Sequence, residues 1–379
     1  MTNIIYADNA STTHLDPEAY IAMQPFLHEE FGNAASSYSF SRNPKKAIEE
    51  ARQIIASCIN SLTEEVFFTS GGTEGVNWAI KGTALKHRER GTHIVTSAFE
   101  HHAVLHSFSF LEELGYQTTY LPVDPTGHIS LLKLEQSLRK DTTLISIMLA
   151  NNEIGTIQDI AGLTKIARKH QTILHTDAVQ AVGHIPVDVK QLGIDLLSAS
   201  AHKFNGPKGI GFLYIKKGTD IFNLISGGKQ ERGKRAGTEN VPGIVGMAVA
   251  LKNNCERIPE NTIYLNLLSK TLLEILNASG CEFKLNGDQN RLPGSINISI
   301  RDNDGEAIMH RLDLKGIIIS TGSACTSGKT TVSHVIKAIG TPKEYAGGTI
   351  RITLSKENTI DEVISIGEEL ISIICPKKK

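Results

Sequence analysis

Short apolar runs alternate with longer amphipathic stretches over most of the chain. EVFF (65–68), HIVTS (93–97), TTYLPV (118–123), LISIML (144–149), TILHT (172–176), LLSAS (196–200) and GFLYI (211–215) have the length and the β-branched or aromatic content of strands. Between the earlier ones, Glu74 to His87, Ala103 to Leu114 and Asp159 to Lys169 repeat their apolar positions at helical spacing. That order predicts a mainly parallel sheet wrapped by helices, an α/β architecture. After Val241 the pattern changes to a long helical stretch followed by SINISI, GIIIS and TIRITL with helices between them, which predicts a second, smaller α/β domain. No repeat, low-complexity tract or linker intervenes, so the two parts are expected to pack closely.

Composition narrows the function classes. At roughly 150 residues per domain, 379 residues make two domains, each large enough for a proper core. The 39 basic and 40 acidic residues leave a net charge of −1, so neither a nucleic acid nor a charged membrane surface is expected as partner, and a small molecule is. No stretch approaches the ~20 apolar residues of a membrane span, and MTNIIYADNA lacks the pattern of a secretion signal, so a cytoplasmic location is expected. Cys58, Cys255, Cys281, Cys325 and Cys375 lie far apart with no CxxC pair. Reduced thiols are the expectation. Only Cys325 sits among small polar residues, TGSACTSGKTT, where a thiol is reachable.

Four runs place chemistry at strand ends. LLSASAHKFNGPKGIG puts Lys203 just past a strand, where partial loss of hydration turns a lysine into a usable amine nucleophile, although most strand-end lysines are simply solvated. TILHTDAVQ ends a strand on Asp177, a carboxylate that is costly to bury unless it meets a cation or serves as a helix N-cap. A protonated pyridine nitrogen is such a cation. EVFFTSGGTEGVNWAI is a strand, a glycine turn and a helix start, where Gly72 and Thr73 offer N–H groups and a hydroxyl to a phosphate, or merely cap the helix. TSAFEHHAV adds His101 and His102, either a ring-stacking or proton-moving pair or two surface histidines. Together a strand-end lysine, a buried aspartate and a phosphate turn suit pyridoxal phosphate (PLP), which the lysine would hold as a Schiff base.

Ten motifs in order, ADNASTT, FGNAAS, TSGGTEGVN, FEHHAV, ANNEIGT, HTDAVQ, SASAHKFNGPKGIG, RAGTEN, STGSACTSG and TIRITL, resemble the cysteine desulfurases of the NifS/IscS type through nearly the whole chain. The resemblance implies the fold type I, class V aminotransferase architecture. That is a large PLP-binding domain over 16–258, with a mainly parallel seven-stranded sheet wrapped by helices, and a small domain of 1–15 and 259–379 carrying a catalytic cysteine loop. It implies removal of sulfur from L-cysteine to give L-alanine and a persulfide on Cys325. The sulfur would pass to an acceptor protein, serving iron–sulfur cluster assembly, tRNA thiolation or another pathway. By position, Lys203 matches the Schiff-base lysine, Asp177 the partner of the pyridine nitrogen, and His101 the ring-stacking acid or base. Gln180 and Asn152 match cofactor or substrate contacts, while Gly72, Thr73, Ser200 and His202 match the phosphate cup. Thr238 matches a threonine that reaches the phosphate from the second subunit of a homodimer. Arg351 matches the grip on the substrate carboxylate, aided by Asn33 and Asn152. No metal is required, with Cys325 able to ligate an iron–sulfur cluster transiently.

The chain also departs from that pattern. Ser39 stands where a His is usual after FGN, Thr330, Thr331 and Val332 replace a Leu-Glu-Pro run, and the tail stops at IICPKKK. These changes leave the chemistry standing and the sulfur acceptor open. Two rivals remain: an aminotransferase or selenocysteine lyase on the same scaffold, and a nucleotide-binding P-loop ending in Gly328, Lys329 and Thr330. In the P-loop reading the first glycine is one place off, because Ser323 stands there and Gly322 precedes it.

Overall fold

A computed structural model describes residues 4–321 and 332–375. The strands run β1 (Ile5–Tyr6), β2 (Val66–Thr69), β3 (His93–Ser97), β4 (Gln117–Leu121), β5 (Thr142–Ser146) and β6 (Ile173–Asp177). They continue as β7 (Leu196–Ser200), β8 (Gly211–Ile215), β9 (Phe283–Leu285), β10 (Ser295–Ile300), β11 (Ile317–Ile318) and β12 (Thr349–Thr353). Seven of them form one sheet in the order β2-β8-β7-β6-β5-β3-β4. The pairs from β4 through β7 are parallel, as the βα alternation predicts, whereas β8 lies antiparallel to both β7 and β2. The reason is the short connection 201–210, which is too brief for a parallel crossover and pairs Ser200 with Gly211 directly.

Local chemistry accounts for the shifted strand ends. TTYLPV stops at Leu121 because Pro122 has no N–H for the ladder. LISIML forms a ladder only over Thr142–Ser146, yet the Ile147 and Leu149 amides still reach His175 O and Asp177 O at 3.1 and 2.8 Å, carrying the chain toward the sheet's carboxyl edge. GIIIS shrinks to Ile317–Ile318, paired with β1.

The strands of the large sheet read as continuous apolar runs because helices cover them, and Phe204, Phe212, Leu197 and Ile145 are wholly buried. A second apolar cluster joins the three-stranded sheet β12-β10-β9 to the helices Ile258–Ala278 and Ile360–Ile374. The last helix begins in a capping box, Thr359 with Glu362, and buries Val363, Ile366, Gly367 and Leu370 on one stripe. Cutting Leu370 to Ala there would cost roughly 2–5 kcal/mol. Ala7 belongs to this second cluster, while Val335, Ile336 and Ile339 pack with the large one.

One expectation about the cysteines is corrected. Cys281 and Cys375 form a disulfide with Cα atoms 6.1 Å apart across 94 positions of sequence. Packing of the two long C-terminal helices brings their ends together, which spacing along the chain does not reveal. Among the described residues Cys58 and Cys255 are unbridged. Among the described residues no helix is long and apolar enough to cross a membrane.

Candidate active site

A cavity of about 600 Å3 opens at the carboxyl edge of the large sheet. Brought together on its wall are Gly72, Thr73, His101, Asn152, Asp177, Gln180, Ser200, His202, Lys203 and Arg351, ten residues whose motifs are scattered over the chain. Cys325, and the Gly328-Lys329-Thr330 run of the P-loop reading, lie outside the described residues. Asn33 and Thr238 are exposed and do not line this cavity in the single chain. Ser39 does not line the cavity, whereas His102 does.

The floor comes from adjacent strands. Asp177 ends β6 and Lys203 follows β7 by one 3-10 turn. Burial raises the Asp177 carboxyl to about 6, against the pull of an amide bond from Val179 N (3.0 Å) and the nearby Lys203 charge. A buried carboxylate so lightly compensated calls for a cation above it. The Lys203 Nζ donates to Ala10 O at 2.6 Å and Ser11 O at 2.7 Å. His184 Nε2 bonds the Lys203 carbonyl at 2.8 Å, fixing its backbone.

The helix Gly72–Lys86 aims its N-terminus at the cavity. Its N-cap, Gly71, carries no side chain, so the first N–H groups are left for a ligand. Gly72 is required by closeness: a Cβ there would lie 2.6 Å from Val179 Cγ2 and 3.3 Å from Ser200 Cβ. His202, pushed down to about 4 by burial and then by the Lys203 and Lys208 charges, is neutral near pH 7 and bonds Thr12 Oγ1 at 3.2 Å.

His101 caps the helix His102–Glu113, its Nδ1 accepting from Ala103 N at 3.1 Å. That bond leaves the ring proton on Nε2. Burial first, then Lys203, His102 and His106, lower its pKa to about 4, so a flat neutral donor faces the cavity. Glu100, wholly buried beside it, is raised to about 8 by burial and accepts from Ser97 Oγ (2.6 Å) and Met148 N (3.0 Å).

The opposite wall carries Arg351 on β12. Its Nη1 donates to Asn152 O at 3.0 Å, and its Nη2 to Asp8 Oδ1 and Ser11 Oγ, both at 2.7 Å. Asn151 shapes the turn that presents Asn152, its Oδ1 accepting from Glu153 N and Ile154 N. Glu153 is raised to about 7 by burial and accepts from Ser333 Oγ at 2.9 Å.

The model for "Aminotransferase class-V" matches residues 5–366. The chain belongs to the class-V aminotransferase family. Among proteins similar to this class-V chain, the cysteine desulfurase IscS of Dictyoglomus turgidum is 51% identical over 364 residues, covering 96% of this chain and 92% of that one. The cysteine desulfurase IscS of Clostridium botulinum is 46% identical over 382 residues, covering 100% and 96%. A solved "NifS-like protein" superposes with a TM-score of 0.93 at 37% identity, covering 98% and 99%. Members of the class-V family use PLP, and the cavity fits it on its own evidence: an under-compensated carboxylate for a pyridine nitrogen, an uncapped helix N-terminus for a phosphate, and an amine on the same wall.

Sequence reasoning missed the role of the N-terminal turn. Ala10 and Ser11 line the cavity, and Ala10 O also accepts from Gln180 Nε2 at 3.0 Å. Asp8, Glu100 and Glu153 were missed as well. The DNAST run after a short apolar strand was the available signal, since it marks a polar turn, but nothing in its composition says which side chains it meets.

Proposed function

We propose that this class-V protein is a PLP-dependent cysteine desulfurase that takes sulfur from L-cysteine, releases L-alanine and stores the sulfur as a persulfide on Cys325. The observation that carries the reading is the convergence of Lys203, Asp177 and Arg351 on one cavity, in a chain similar throughout to proteins named cysteine desulfurase.

The bound cofactor supplies an electron sink. Lys203 would anchor it, and its amine would then move the proton at the substrate Cα. Asp177 would pair with the ring nitrogen, Gly72, Thr73, Ser200 and His202 would hold the phosphate, and Gln180 and Asn152 would contact the cofactor and substrate. The neutral His101 would lie against the ring and offer its Nε2 proton. Arg351 grips the α-carboxylate. The Cys325 thiolate attacks the substrate sulfur: a sulfur–sulfur bond forms, the carbon–sulfur bond breaks with its electron pair left on carbon, and that carbon takes a proton to become the methyl group of L-alanine.

The same reading makes the active form a cytoplasmic homodimer, with Thr238 of one subunit completing the phosphate cup of the other and Asn33 joining the substrate pocket on assembly. The exposure of both residues in the single chain, with the exposed Phe31–Phe40 ring pair beside Asn33, supports it. It divides the chain into a large domain of 16–258 and a small one of 1–15 and 259–379. Sulfur then passes to an acceptor protein, an iron–sulfur scaffold or a thiolation enzyme.

Replacing Cys325 by Ser and following L-alanine release with PLP bound tests the central step. Release should collapse, and undiminished turnover overturns the persulfide role. An amino group passed to a keto acid, in place of alanine and sulfide, would instead mark an aminotransferase.

A further inference from the structure

A guanidinium offers a carboxylate two double-donor edges, Nη1–Nη2 and Nε–Nη2, and Nη2 belongs to both. In Arg351 both Nη2 bonds are taken, one by Asp8 Oδ1 and one by Ser11 Oγ, each at 2.7 Å. Neither edge can therefore seat a second carboxylate until one of these acceptors yields. Nη1 is held by Asn152 O at 3.0 Å, and Nε is buried without a hydrogen-bond partner among the described residues. The Asp8 and Arg351 side chains are only 14% and 7% exposed, so their attraction is weakly screened.

We propose that Asp8 is an internal counter-ligand of Arg351, occupying the place a substrate α-carboxylate takes and so setting the affinity of the site for carboxylate-bearing substrates. This rests on the reading of Arg351 as the carboxylate grip. Whether the incoming carboxylate displaces Asp8 or shares the guanidinium with it, the Asp8 charge opposes its entry.

Orientation of Arg351 does not depend on that charge. β12 is locked by reciprocal backbone bonds between Arg351 and Ser320, at 2.7 and 3.1 Å, and Asn152 O and Ser11 Oγ hold the guanidinium on two further sides. The turn bearing Asp8 reaches the floor too, since Ala10 O and Ser11 O accept from Lys203 Nζ. One short turn thus occupies both cationic groups of the site. The pairing also explains how a nearly buried arginine is tolerated before substrate arrives.

The test uses the PLP-loaded enzyme. Asp8→Asn keeps the shape and an acceptor oxygen but removes the charge. The KM for L-cysteine, and the dissociation constant for L-alanine read from bound-cofactor absorbance, should both fall by the same factor of about three to ten, the difference between a charged and a neutral acceptor. Binding of cysteamine, which has the thiol and amine but no carboxylate, should not move. Ser11→Ala opens one Nη2 bond without changing charge and should shift both constants the same way by a smaller factor. Unchanged or raised constants in Asp8→Asn, or an equal shift for cysteamine, overturn the proposal. Arg351→Lys separates the two failures: if it leaves L-alanine affinity unmoved, the reading of Arg351 as the grip is wrong whatever Asp8 does.

Discussion

The floor and the wall of the cavity are built on different principles. Asp177 and Lys203 leave neighbouring parallel strands in the middle of a seven-stranded sheet, so the pairing of β6 with β7 brings their chain segments to one edge. Arg351 sits on the edge strand of a three-stranded sheet, and its partner Asp8 is 343 residues away in sequence. The floor is therefore positioned mainly by the sheet itself. The wall's guanidinium is held by three side-chain bonds, to Asn152 O, Asp8 Oδ1 and Ser11 Oγ. Changes to the floor should cost cofactor and stability together, whereas changes to the wall should cost substrate affinity alone.

The largest effect expected is on the floor. Lys203→Ala should abolish the visible absorbance of bound PLP and lower turnover by about 100- to 10,000-fold, the range for a lost proton-transfer group. Retained absorbance would break the comparison at its base.

Arg52 sharpens it without touching the cavity. Its Nη1 bonds Val66 O at 2.9 Å on the sheet's outermost strand, and its buried pairing with Glu231 is at 2.7 Å. Glu231 in turn accepts from Phe68 N at 2.8 Å. Arg52→Met leaves that carboxylate buried and unpaired, and denaturant unfolding should show a loss of roughly 3–5 kcal/mol. The KM for L-cysteine should stay where it was.

On the wall, Arg351→Lys replaces a planar fork with a point charge. The KM for L-cysteine should rise about 10- to 100-fold, with cofactor absorbance and thermal stability little altered. A large loss of stability would mean that the wall, too, is a folding element.

The smallest effect is a pH slope. Burial holds Glu100 and Glu153 protonated up to about 8 and about 7, so the folded chain binds protons that the unfolded chain has released. Stability must then fall as pH rises toward about 8. Buried neutral histidines such as His175, pushed down to about 3, act the opposite way, but only below the ordinary histidine value of about 6.5. Thermal melts of the cofactor-free protein between about pH 6.5 and 8 should thus show declining stability, and Glu100→Gln should flatten the decline.

What could be read from the chain follows this division. The runs LLSAS, HIVTS, GFLYI and SINISI form strands over the residues their patterns mark, because alternation of strand and helix is a local property and burial on both faces leaves an unbroken apolar run. The glycine turn and the two strand-end residues were legible for the same reason: strand ends and turns announce themselves in composition. The antiparallel entry of β8 went unread although its signal was present, since the ten residues between LLSAS and GFLYI are too few for a parallel crossover.

By itself the sequence determined an α/β protein with an amine, a carboxylate and a glycine turn before a helix at one sheet edge, because each follows from residues close along the chain. Only the tertiary structure decided that Arg351 is met by Asp8 and Ser11, that Lys203 rests on the carbonyls of the N-terminal turn, and that Cys281 reaches Cys375. Those contacts join segments hundreds or tens of residues apart, and long-range partners are selected by the packing of whole elements rather than by any local pattern.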